Sequence, residues 1–362
     1  IEKFPVTGNG DVIIDAIFGS GLTRPADGIG ADVIKKVNHS GCTVVSVDIP
    51  SGLFGEDNSA NTHDTIIKAG YTLSFQFPKL CFLFPDTALY AGEWHILPIG
   101  LSSNAVMNTP TPYEYIEESK IISLVRKRSK FDHKGLFGHG LLVAGSYGKM
   151  GAAVLGARAA LRTGIGLLTC HIPGCGYEIM QISVPEAMAR VDKNAICITG
   201  VGDFETFDAI GVGPGLGTDP DTFGAFLELV EKCGKPLIID ADGINILGRE
   251  KDTIPGIPAN TIITPHVREF ERIAGKADSG IDRLRLQVEF AVKHHCIVVL
   301  KGAYTSISTP QGKVFFNSTG NPGMAKAGSG DVLTGMILAL LSRRYQPDDA
   351  AVLGVWLHGL AG

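Results

Sequence analysis

The sequence lacks the features that mark several other protein classes. It contains no apolar run as long as a membrane span, and its first residues, IEKFPVTGNG, resemble neither a signal peptide nor a transit peptide. Charge of one sign is also scarce, because 32 basic and 37 acidic residues leave a net charge of −5. The one basic cluster, Arg126-Lys127-Arg128 with Lys130, fits a solvated surface best. We therefore expect a soluble, cytoplasmic protein with neither nucleic acid nor membrane as a partner.

Paired cysteine motifs are missing too. The seven cysteines are dispersed along the chain, and none forms a Cys-x-x-Cys pair. An odd, scattered set is typical of reduced thiols in a cytoplasmic enzyme and does not indicate a disulfide or zinc framework.

Glycine, in contrast, is abundant, with 46 residues, and short β-rich runs alternate with helical patterns. Several of the runs are continuously apolar, as in a parallel sheet whose two faces are both covered. This alternation predicts an α/β fold with helices on both faces of the sheet, and ligands in such folds bind beyond the carboxyl ends of the strands. The predicted strands are Asp11–Phe18, Thr43–Asp48, Leu141–Gly145, Gly166–Ile172, Ala209–Gly213, Leu237–Asp240, Thr261–Thr264 and Cys296–Lys301.

The alternation breaks between about Leu101 and Lys134, where SSNAVMNTPTPYEY precedes a short amphipathic helical pattern, EESKIISLVRKR. A length of 362 residues suggests two domains. We predict one domain at residues 1–104, a linker with a short helix at 105–130, and a second domain at 131–362. The first is small for a doubly wound domain, and AAVLGVWLHGLAG at the other end reads as an unfinished helix. We therefore expect a fragment that is cut short at both ends.

The most informative segment is Gly320–Asp331, which runs directly into VLTGMILALL. Three small residues, Gly328, Ser329 and Gly330, precede an aspartate at the predicted start of a helix. A helix start offers free N–H groups to a phosphate, and glycines let the backbone approach it closely. Asp331 is then placed to take a proton from a hydroxyl group, although an aspartate that only favours a helix start fits equally well. The apolar residues at helical spacing are Val332, Leu333, Met336, Ile337, Leu340 and Leu341.

Polar residues follow several other predicted strands of this half. They are the glycine-rich loop Gly213–Gly217 with its helix start at Thr218 or Asp219, the pair Asp240 and Asp242, His266 with Glu269, and Lys301 with Gly302. Taken singly, His266 also fits an ordinary loop histidine. Asp240 and Asp242 also fit helix caps, and Lys301 also fits a surface residue.

In this order the motifs resemble the NAD(P)H-hydrate dehydratase family of the ribokinase-like superfamily. The matching segments are His133-Lys134-Gly135, Gly213–Gly217, Asp240–Gly243, Thr264–Glu269, Leu300–Gly302 and Gly320–Gly335. The resemblance covers about Phe131 to Gly362 and implies a ribokinase-like three-layer α/β/α domain. It departs from the family at Val267-Arg268, where Pro-Gly is usual, so the loop is expected to differ in shape there.

The resemblance also implies a reaction. ADP or ATP phosphorylates the C6 hydroxyl of hydrated NADH or NADPH (NADHX or NADPHX), and loss of phosphate restores the dinucleotide. Asp331 would be the base. Mg²⁺ would bind with the nucleotide and contact Glu269 or Asp240 through water. The dinucleotide is expected to contact Ala152, Gly215, His266 and Asp331. The adenine nucleotide is expected to contact Lys301, Gly302, Ala303, Tyr304, Thr305, Gly328 and Gly330.

In the first half, DVIIDAIFGSGL and VVSVDIPSG each read as a strand followed by a glycine turn. Asp15 and Ser51 offer oxygen ligands for a small cation, and Asp48 is suited to bind a hydroxyl group or act as a base. Ordinary strand-end turns explain the same residues.

Together with Thr72–Lys79 these motifs resemble the NAD(P)H-hydrate epimerase domain, a Rossmann-like three-layer fold, over about Val6 to Leu101. The resemblance implies that Asp15 and Ser51 bind K⁺ and that Asp48 contacts the reacting ring. Contacts to the dinucleotide phosphates are implied for Gly19, Ser20, Gly21, Leu22, Thr23, Arg24 and Pro25. The family's upstream asparagine- and glycine-rich phosphate loop is absent, and GNGD at Gly8–Asp11 lies too close to the first strand to replace it. The epimerase half is therefore expected to be partial.

The leading hypothesis is a bifunctional enzyme in which an epimerase interconverts the R- and S-hydrates and a lyase dehydrates the S-epimer. Fused forms resemble bacterial enzymes, which favours ADP as the donor, and a homo-oligomer is expected. A ribokinase-superfamily kinase that acts on a sugar or vitamin alcohol is the alternative. A first domain that only binds nucleotides or a partner is a third hypothesis.

Overall fold

The computed structural model describes Pro5, Gly8 and residues 10–362. The predicted first domain therefore begins outside the described residues, and its Gly8–Asp11 segment lies partly outside them. The chain forms two compact units. One runs to Thr111 and includes Ala277–Arg285, and the other comprises Pro112–Lys276 and Leu286–Gly362.

The first unit is built on a parallel sheet whose described strands lie in the order β1-β2-β3-β4. The strands are β1 (Val12–Asp15), β2 (Thr43–Val47), β3 (Tyr71–Phe75) and β4 (Glu93–Leu97). The helices are α1 (Gly28–Asn38), α2 (Pro85–Ala91) and α3 (Ser103–Asn108). Short 3-10 turns cover His63–Thr65 and Leu80–Leu83.

The core of this unit follows the alternation of its strands. Helix α1 buries Ala31, Ile34 and Val37, which recur every three residues and so share one face. Ile34 and Val37 pack with Val44 of β2 in one apolar cluster. On the alternate positions of β1, Val12 and Ile14 are 58% and 62% exposed.

The second unit contains a sheet with the described strand order β5-β14-β13-β12-β11-β10-β9-β6-β7-β8. The β12–β13 and β13–β14 pairs are antiparallel and the others parallel. The strands are β5 (Tyr113–Tyr115), β6 (His139–Val143), β7 (Leu167–Ile172), β8 (Met188–Val191), β9 (Ala209–Val212), β10 (Leu237–Ile239), β11 (Ile262–Ile263), β12 (Ile297–Leu300), β13 (Ser306–Ser308) and β14 (Val314–Phe316).

Helices cover both faces of this sheet. Leu141 and Val143 of β6 join one apolar cluster, while Leu142 and the following Ala144 join the other, because side chains alternate along a strand. The Leu142 side packs against α4 (Glu118–Leu124), α5 (Met150–Thr163), α6 (Tyr177–Ser183), α11 (Ser329–Ser342) and α12 (Pro347–Ala361). The Leu141 side packs against α7 (Pro220–Lys232), α8 (Asp242–Arg249), α9 (Val267–Ala274) and the later residues of α10 (Gly280–Lys293). The result is a three-layer α/β/α arrangement.

The α/β class and the predicted strands are confirmed, although most of the strands are shorter than expected. The cap at Asp219 is also confirmed, since its side chain accepts the Asp221 N–H at the start of α7. The segment predicted as a linker contributes β5 and α4 to the second unit. Helix α11 is buried beyond the single predicted face, because Thr334, Leu338 and Ser342 are covered as well.

No helix among the described residues combines the length and the apolar character needed to cross a membrane. All seven cysteines, which lie within the described residues, are free thiols.

Candidate active sites

The glycine turn before helix α11 places Asp331 at the carboxyl edge of the second sheet. Gly328 has a φ of 89°, and a Cβ added there would lie 2.6 Å from Leu155 Cδ1. Glycine is therefore required to start the helix at Ser329. Asp331 is the third residue of α11 and is half-buried. Its carboxyl group thus lies beside the free N–H groups of the first helical turn.

A partly buried ion pair lies next to this turn. Lys301 Nζ donates to Asp240 Oδ1 at 3.0 Å, and Thr334 Oγ1 of α11 donates to Asp240 Oδ2 at 2.8 Å. Asp240 is 1% exposed. A Cβ at Gly330 would lie 3.5 Å from both Lys301 Nζ and Asp240 Oδ2. The ammonium group of Lys301 is therefore held against the start of α11, where an anion would sit, and Lys301 is not a free surface residue.

These neighbours change the acidity of Asp331. Burial is the largest cause and raises its pKa to about 6, with the Asp240 charge acting in the same direction and Lys301 opposing it. A carboxyl group with a pKa near neutrality is suited to general-base catalysis, because it is ionised at pH 7 yet binds a proton readily.

His266 and Glu269 form a capping box at the start of α9. His266 Nδ1 accepts the Glu269 N–H at 3.2 Å, and Glu269 Oε2 accepts the His266 N–H at 2.8 Å. Glu269 Oε2 is also 3.9 Å from Lys301 Nζ. Val267 and Arg268 simply form the first helical positions between the two. The capping box therefore fixes the imidazole beside the Lys301–Asp240 pair.

The glycine-rich loop after β9 brings Gly215 against Ala152 of α5. Gly213 has a φ of 125°, and a Cβ there would overlap the Asp240 carbonyl oxygen. Gly215 has a φ of 60°, and a Cβ there would lie 2.9 Å from Ala152 Cβ. The two residues predicted to contact the dinucleotide are therefore adjacent.

The side chain of Asp242 does not cap its own helix, α8. Its Oδ2 accepts the Gly217 N–H at 2.9 Å and lies 3.2 Å from Lys149 Nζ, so it ties the glycine loop to the start of α5. Ala241, between the two aspartates, has a φ of 48°, which is uncommon for a residue with a Cβ. Strained backbone of this kind often marks a functional site.

The predicted nucleotide-binding residues Gly302, Ala303, Tyr304 and Thr305 form the turn between β12 and β13. Thr305 Oγ1 donates to the Gly302 carbonyl oxygen at 3.1 Å and accepts the Gly302 N–H at 3.3 Å, which closes the turn. Gly302 and Ala303 are exposed. The turn therefore offers open backbone next to Lys301.

Three side chains of this site were not singled out from the sequence. No motif in the sequence marked Thr334, Lys149 or His358 as part of this site. His358 Nε2 is 3.2 Å from Ser329 Oγ. Each meets its partner only through folding, with sequence separations of 94, 93 and 29 residues.

In the first unit, the predicted cation ligands Asp15 and Ser51 are in direct contact. Ser51 donates through Oγ to Asp15 Oδ1 at 2.5 Å and through its N–H to Oδ2 at 2.8 Å. Ser46 Oγ also donates to Oδ2 at 2.7 Å. Asp15 and Ser51 are 2% and 1% exposed. The Phe18 carbonyl oxygen lies 3.2 Å from Ser51 Oγ, so oxygen atoms from three residues gather at this point.

Asp48 lies nearby at the end of β2 with a φ of 67°. Its Oδ1 is 2.8 Å from Lys79 Nζ, and its Oδ2 accepts the Ser20 N–H at 3.4 Å. Burial raises the pKa of Asp48, but the hydrogen bond and charge of Lys79, together with hydrogen bonds from Phe75 and Ser20, outweigh it, so the pKa is lowered overall. Lys79 ends the Thr72–Lys79 segment, whose sequence gave no indication of this pairing.

The loop that follows β1 carries the residues predicted to contact phosphates. Gly19 and Ser20 border Asp48, and the Leu22 N–H donates to the Gly19 carbonyl oxygen at 3.3 Å. The exposed members of the loop are Gly19, Ser20, Gly21, Thr23 and Arg24, with Leu22 and Pro25 partly covered. The loop is thus an open surface next to the Asp48 carboxylate.

Known families match both halves of the chain. The family model for NAD(P)H-hydrate dehydratase matches residues 140–362, and that for the YjeF-related protein N-terminus matches residues 2–81. Among curated relatives, the bifunctional NAD(P)H-hydrate repair enzyme Nnr of Moorella thermoacetica is 36% identical over 97% of this chain and 68% of its own length. The Nnr enzyme of Thermofilum pendens is 35% identical over the same shares.

Solved structures resemble the second unit. The ADP/ATP-dependent NAD(P)H-hydrate dehydratase from Bacillus subtilis, co-crystallised with ATP and Mg²⁺, is 30% identical with a TM-score of 0.57, over 68% of this chain and 87% of that one. A ribokinase-like superfamily protein from Enterococcus faecalis is 26% identical with a TM-score of 0.61, over 70% and 88%.

Proposed function

Because the chain belongs to the NAD(P)H-hydrate dehydratase family and matches its bifunctional repair enzymes along almost its whole length, we propose that it repairs hydrated nicotinamide dinucleotides. The second unit dehydrates the S-epimer of NADHX or NADPHX at the expense of ADP or ATP. The first unit interconverts the R- and S-epimers.

The observation that carries the dehydratase assignment is the position of Asp331. Its half-buried carboxyl group stands at the first turn of α11, next to the Lys301 ammonium held by Asp240. Helix N–H groups and a fixed cation favour a transferring phosphoryl group. A base at the same place can accept the proton of the attacking hydroxyl.

The proposed reaction has two stages. The oxygen of the substrate's C6 hydroxyl attacks the terminal phosphorus of ADP or ATP while Asp331 takes the hydroxyl proton. The bond between that phosphorus and the leaving AMP or ADP breaks. The C6–oxygen bond then breaks with loss of phosphate, and loss of the neighbouring ring proton restores the reduced nicotinamide. Ala152, Gly215 and His266 line the dinucleotide in this proposal. Gly302, Ala303, Tyr304 and Thr305 border the adenine nucleotide, with Gly328 and Gly330 at its phosphates.

The carboxylates of the site fit Mg²⁺ held through water. The Asp240 oxygens accept hydrogen bonds from Lys301 and Thr334, and Glu269 Oε2 accepts one from the His266 N–H. These carboxylates are thus suited to contact the cation through water. Mg²⁺ usually keeps several waters and takes only one or two carboxylates. When bound with the nucleotide it offsets phosphate charge, while Lys301 supplies a fixed positive charge of the protein.

For the first unit, the oxygen atoms of Asp15, Ser51 and Phe18 fit an alkali cation, and we propose K⁺ at Asp15 and Ser51. All the donors are hard oxygen ligands, and one carries a negative charge. Asp48 then faces the reacting ring, and the loop from Gly19 to Pro25 receives the dinucleotide phosphates. The supporting contact is the Ser20 N–H to Asp48 bond, which joins the loop to the carboxylate.

The remaining proposals concern the whole chain. We propose domains at residues 1–104 and 131–362 joined by a linker at 105–130, whose strand β5 pairs with β14 of the second sheet. A cytoplasmic location is supported by seven free thiols. Self-association is supported by apolar side chains left exposed on α6, including Ile182, which is 81% exposed.

The first test measures recovery of reduced-nicotinamide absorbance from chemically prepared NADH hydrate, with Mg²⁺ and either ADP or ATP. Nucleotide-dependent recovery is expected, and the faster donor identifies the nucleotide used. A stable phosphorylated alcohol formed from a sugar or vitamin alcohol, with no recovery of NADH, would instead identify a small-molecule kinase.

The Asp331→Asn variant assigns the base. We expect it to abolish dehydration while nucleotide binding, followed by calorimetry, stays close to wild type, because the glycine turn and Lys301 are unchanged. Unaltered turnover in this variant would rule out Asp331 as the base.

A further inference from the structure

His358 lies on the last turns of α12 and reaches the glycine turn in front of Asp331. Its Nε2 is 3.2 Å from Ser329 Oγ. Ser329 is the first residue of α11, directly after Gly328 and two residues before Asp331. Among the described residues, this imidazole is the ring that contacts the hydroxyl in the proposed phosphate-binding turn.

The rest of the loop is also fastened to the end of α12. Thr319 Oγ1 donates to the Trp356 carbonyl oxygen at 2.8 Å, and a Cβ at Gly359 would overlap Thr319 Oγ1. Farther along, a Cβ at Gly362 would lie 2.5 Å from Met324 Cγ. The helix therefore supports the loop at both ends. At the end nearest Asp331, the support is the hydrogen bond between the His358 side chain and Ser329.

The contact works through hydrogen bonding and not through charge. Burial lowers the pKa of His358, a backbone bond to Ser329 raises it, and the Lys301 charge lowers it again, with a net lowering. The ring is consequently neutral at pH 7. A neutral imidazole has one donor and one acceptor nitrogen, so Nε2 bonds the Ser329 hydroxyl in either tautomer.

We infer that His358 is a positioning residue for phosphoryl transfer, which fixes the Ser329 hydroxyl and with it the first turn of α11 around the phosphoryl group. This inference rests on the proposed dehydratase function. The hydrogen bond ties the N1 residue of α11 to the end of α12, so the first helical turn cannot shift without breaking it. With the hydroxyl bound to His358, the N–H groups and Asp331 keep one arrangement.

The test compares His358→Leu with His358→Gln, which differ in polarity but little in size. Leucine removes the hydrogen bond, so kcat should fall roughly tenfold, while KM for NADHX and the nucleotide Kd stay within about twofold. Glutamine places an amide near the Nε2 position and should restore kcat to within about threefold of wild type. His95→Leu, at a half-exposed histidine of the first unit, is the matched control and should leave dehydration unchanged.

A double-variant cycle shows whether Ser329 is the partner. Ser329→Ala should lower kcat about as much as His358→Leu, and the double variant should be no slower than the slower single variant. Three results would each overturn the inference. They are a double variant whose loss of kcat is the product of the two single losses, a wild-type kcat in His358→Leu, and a His358→Gln variant as slow as His358→Leu. If His358→Leu unfolds early, the same comparison is made with Ser329→Ala in the wild-type and His358→Gln backgrounds. A wild-type chain with no nucleotide-dependent recovery would refute the proposed function itself.

Discussion

At the scale of single residues, the dehydratase site depends on one carboxyl group whose acidity is set by its neighbours. Burial and the charge of Asp240 raise the pKa of Asp331 to about 6. In the proposed reaction, Asp331 acts as a base only when its carboxyl group is ionised. We therefore expect log(kcat/KM) for dehydration to rise with pH, bend near pH 6 and level off above pH 7. Rates measured from pH 4.5 to 8.5 at saturating nucleotide check this, and a flat profile across that range would contradict it.

The Asp240→Asn variant should move this bend to lower pH, by about one unit. The substitution removes the negative charge that raises the pKa of Asp331, and it leaves the Lys301 charge unneutralised. Both changes favour the ionised carboxylate. The maximal rate is expected to fall too, because Lys301 loses its anchor, but the bend is read independently of the rate. A bend that stays in place or moves upward would show that Asp240 does not set the acidity of Asp331.

The same pKa predicts a stability cost at Asp331. Its pKa is raised from 3.8 in the unfolded chain to about 6 in the fold, so the folded state disfavours the ionised form, and stability is lost as pH rises through this window. Asp331→Asn removes that cost. Because the group is only half-buried, we expect a gain in the free energy of unfolding of about 1 kcal/mol at pH 8 and little change at pH 4. Denaturant melts at the two pH values measure the difference, and an equal effect at both would exclude this cause.

At the scale of elements, the site depends on how closely two helices approach. Gly335 of α11 faces Gly156 of α5, and a Cβ at Gly335 would overlap the Gly156 carbonyl oxygen. Asp331 precedes Gly335 by one helical turn, so the contact sets the position of the carboxylate of Asp331, the proposed base, relative to Ala152 on α5.

Gly335→Ala should therefore cost both stability and activity. We expect a loss of about 2 kcal/mol, since overpacking outweighs the gain in helix propensity. Turnover should fall because α11 must shift. Gly224→Ala in α7 is the control, as nothing lies within 4 Å of its added Cβ, and it should be neutral or slightly stabilising. Equal melting behaviour of the two variants would show that the helices separate at no cost.

Elements with strong local signals could be predicted from the sequence. The apolar strands IVVL and VVSV and the cap at Asp219 lie as expected, because local pattern decides them. The edge strand β5 was missed, since the three residues Tyr113–Tyr115 become a strand only by pairing with β14. The strand β4, with alternating exposed positions, was equally inconspicuous.

The site shows the same division. Asp331, Gly215 and His266 could be singled out because motifs surround them. Lys79, Thr334 and His358 could not, because each acquires its role from a partner far along the chain. Nothing local distinguishes a lysine that holds a carboxylate from one that is solvated. Burial and pairing, which decide the difference, are properties of the fold.

At the scale of the whole molecule, two units each carry an aspartate in a different electrostatic setting. Asp48 is paired with Lys79, and its pKa is lowered, whereas the pKa of Asp331 is raised to about 6. The first is therefore kept ionised, which suits binding to a ring or orienting it. The second can exchange a proton near neutral pH. The opposite pKa shifts of Asp48 and Asp331 fit the two proposed reactions, epimerisation in the first unit and dehydration in the second.

The two steps should be separable by single substitutions in the intact chain. With a mixture of R- and S-NADHX, Mg²⁺ and nucleotide, the wild-type protein should restore NADH from both epimers. Asp48→Asn should stop at the fraction that is initially S, because it lacks the carboxylate proposed to face the ring while the second unit is unchanged. Asp331→Asn should restore no NADH yet still equilibrate the epimers. Chromatography of the R- and S-hydrates over time, alongside absorbance at the nicotinamide band, measures both activities. Loss of both activities in either variant would mean that the two aspartates serve a single shared reaction.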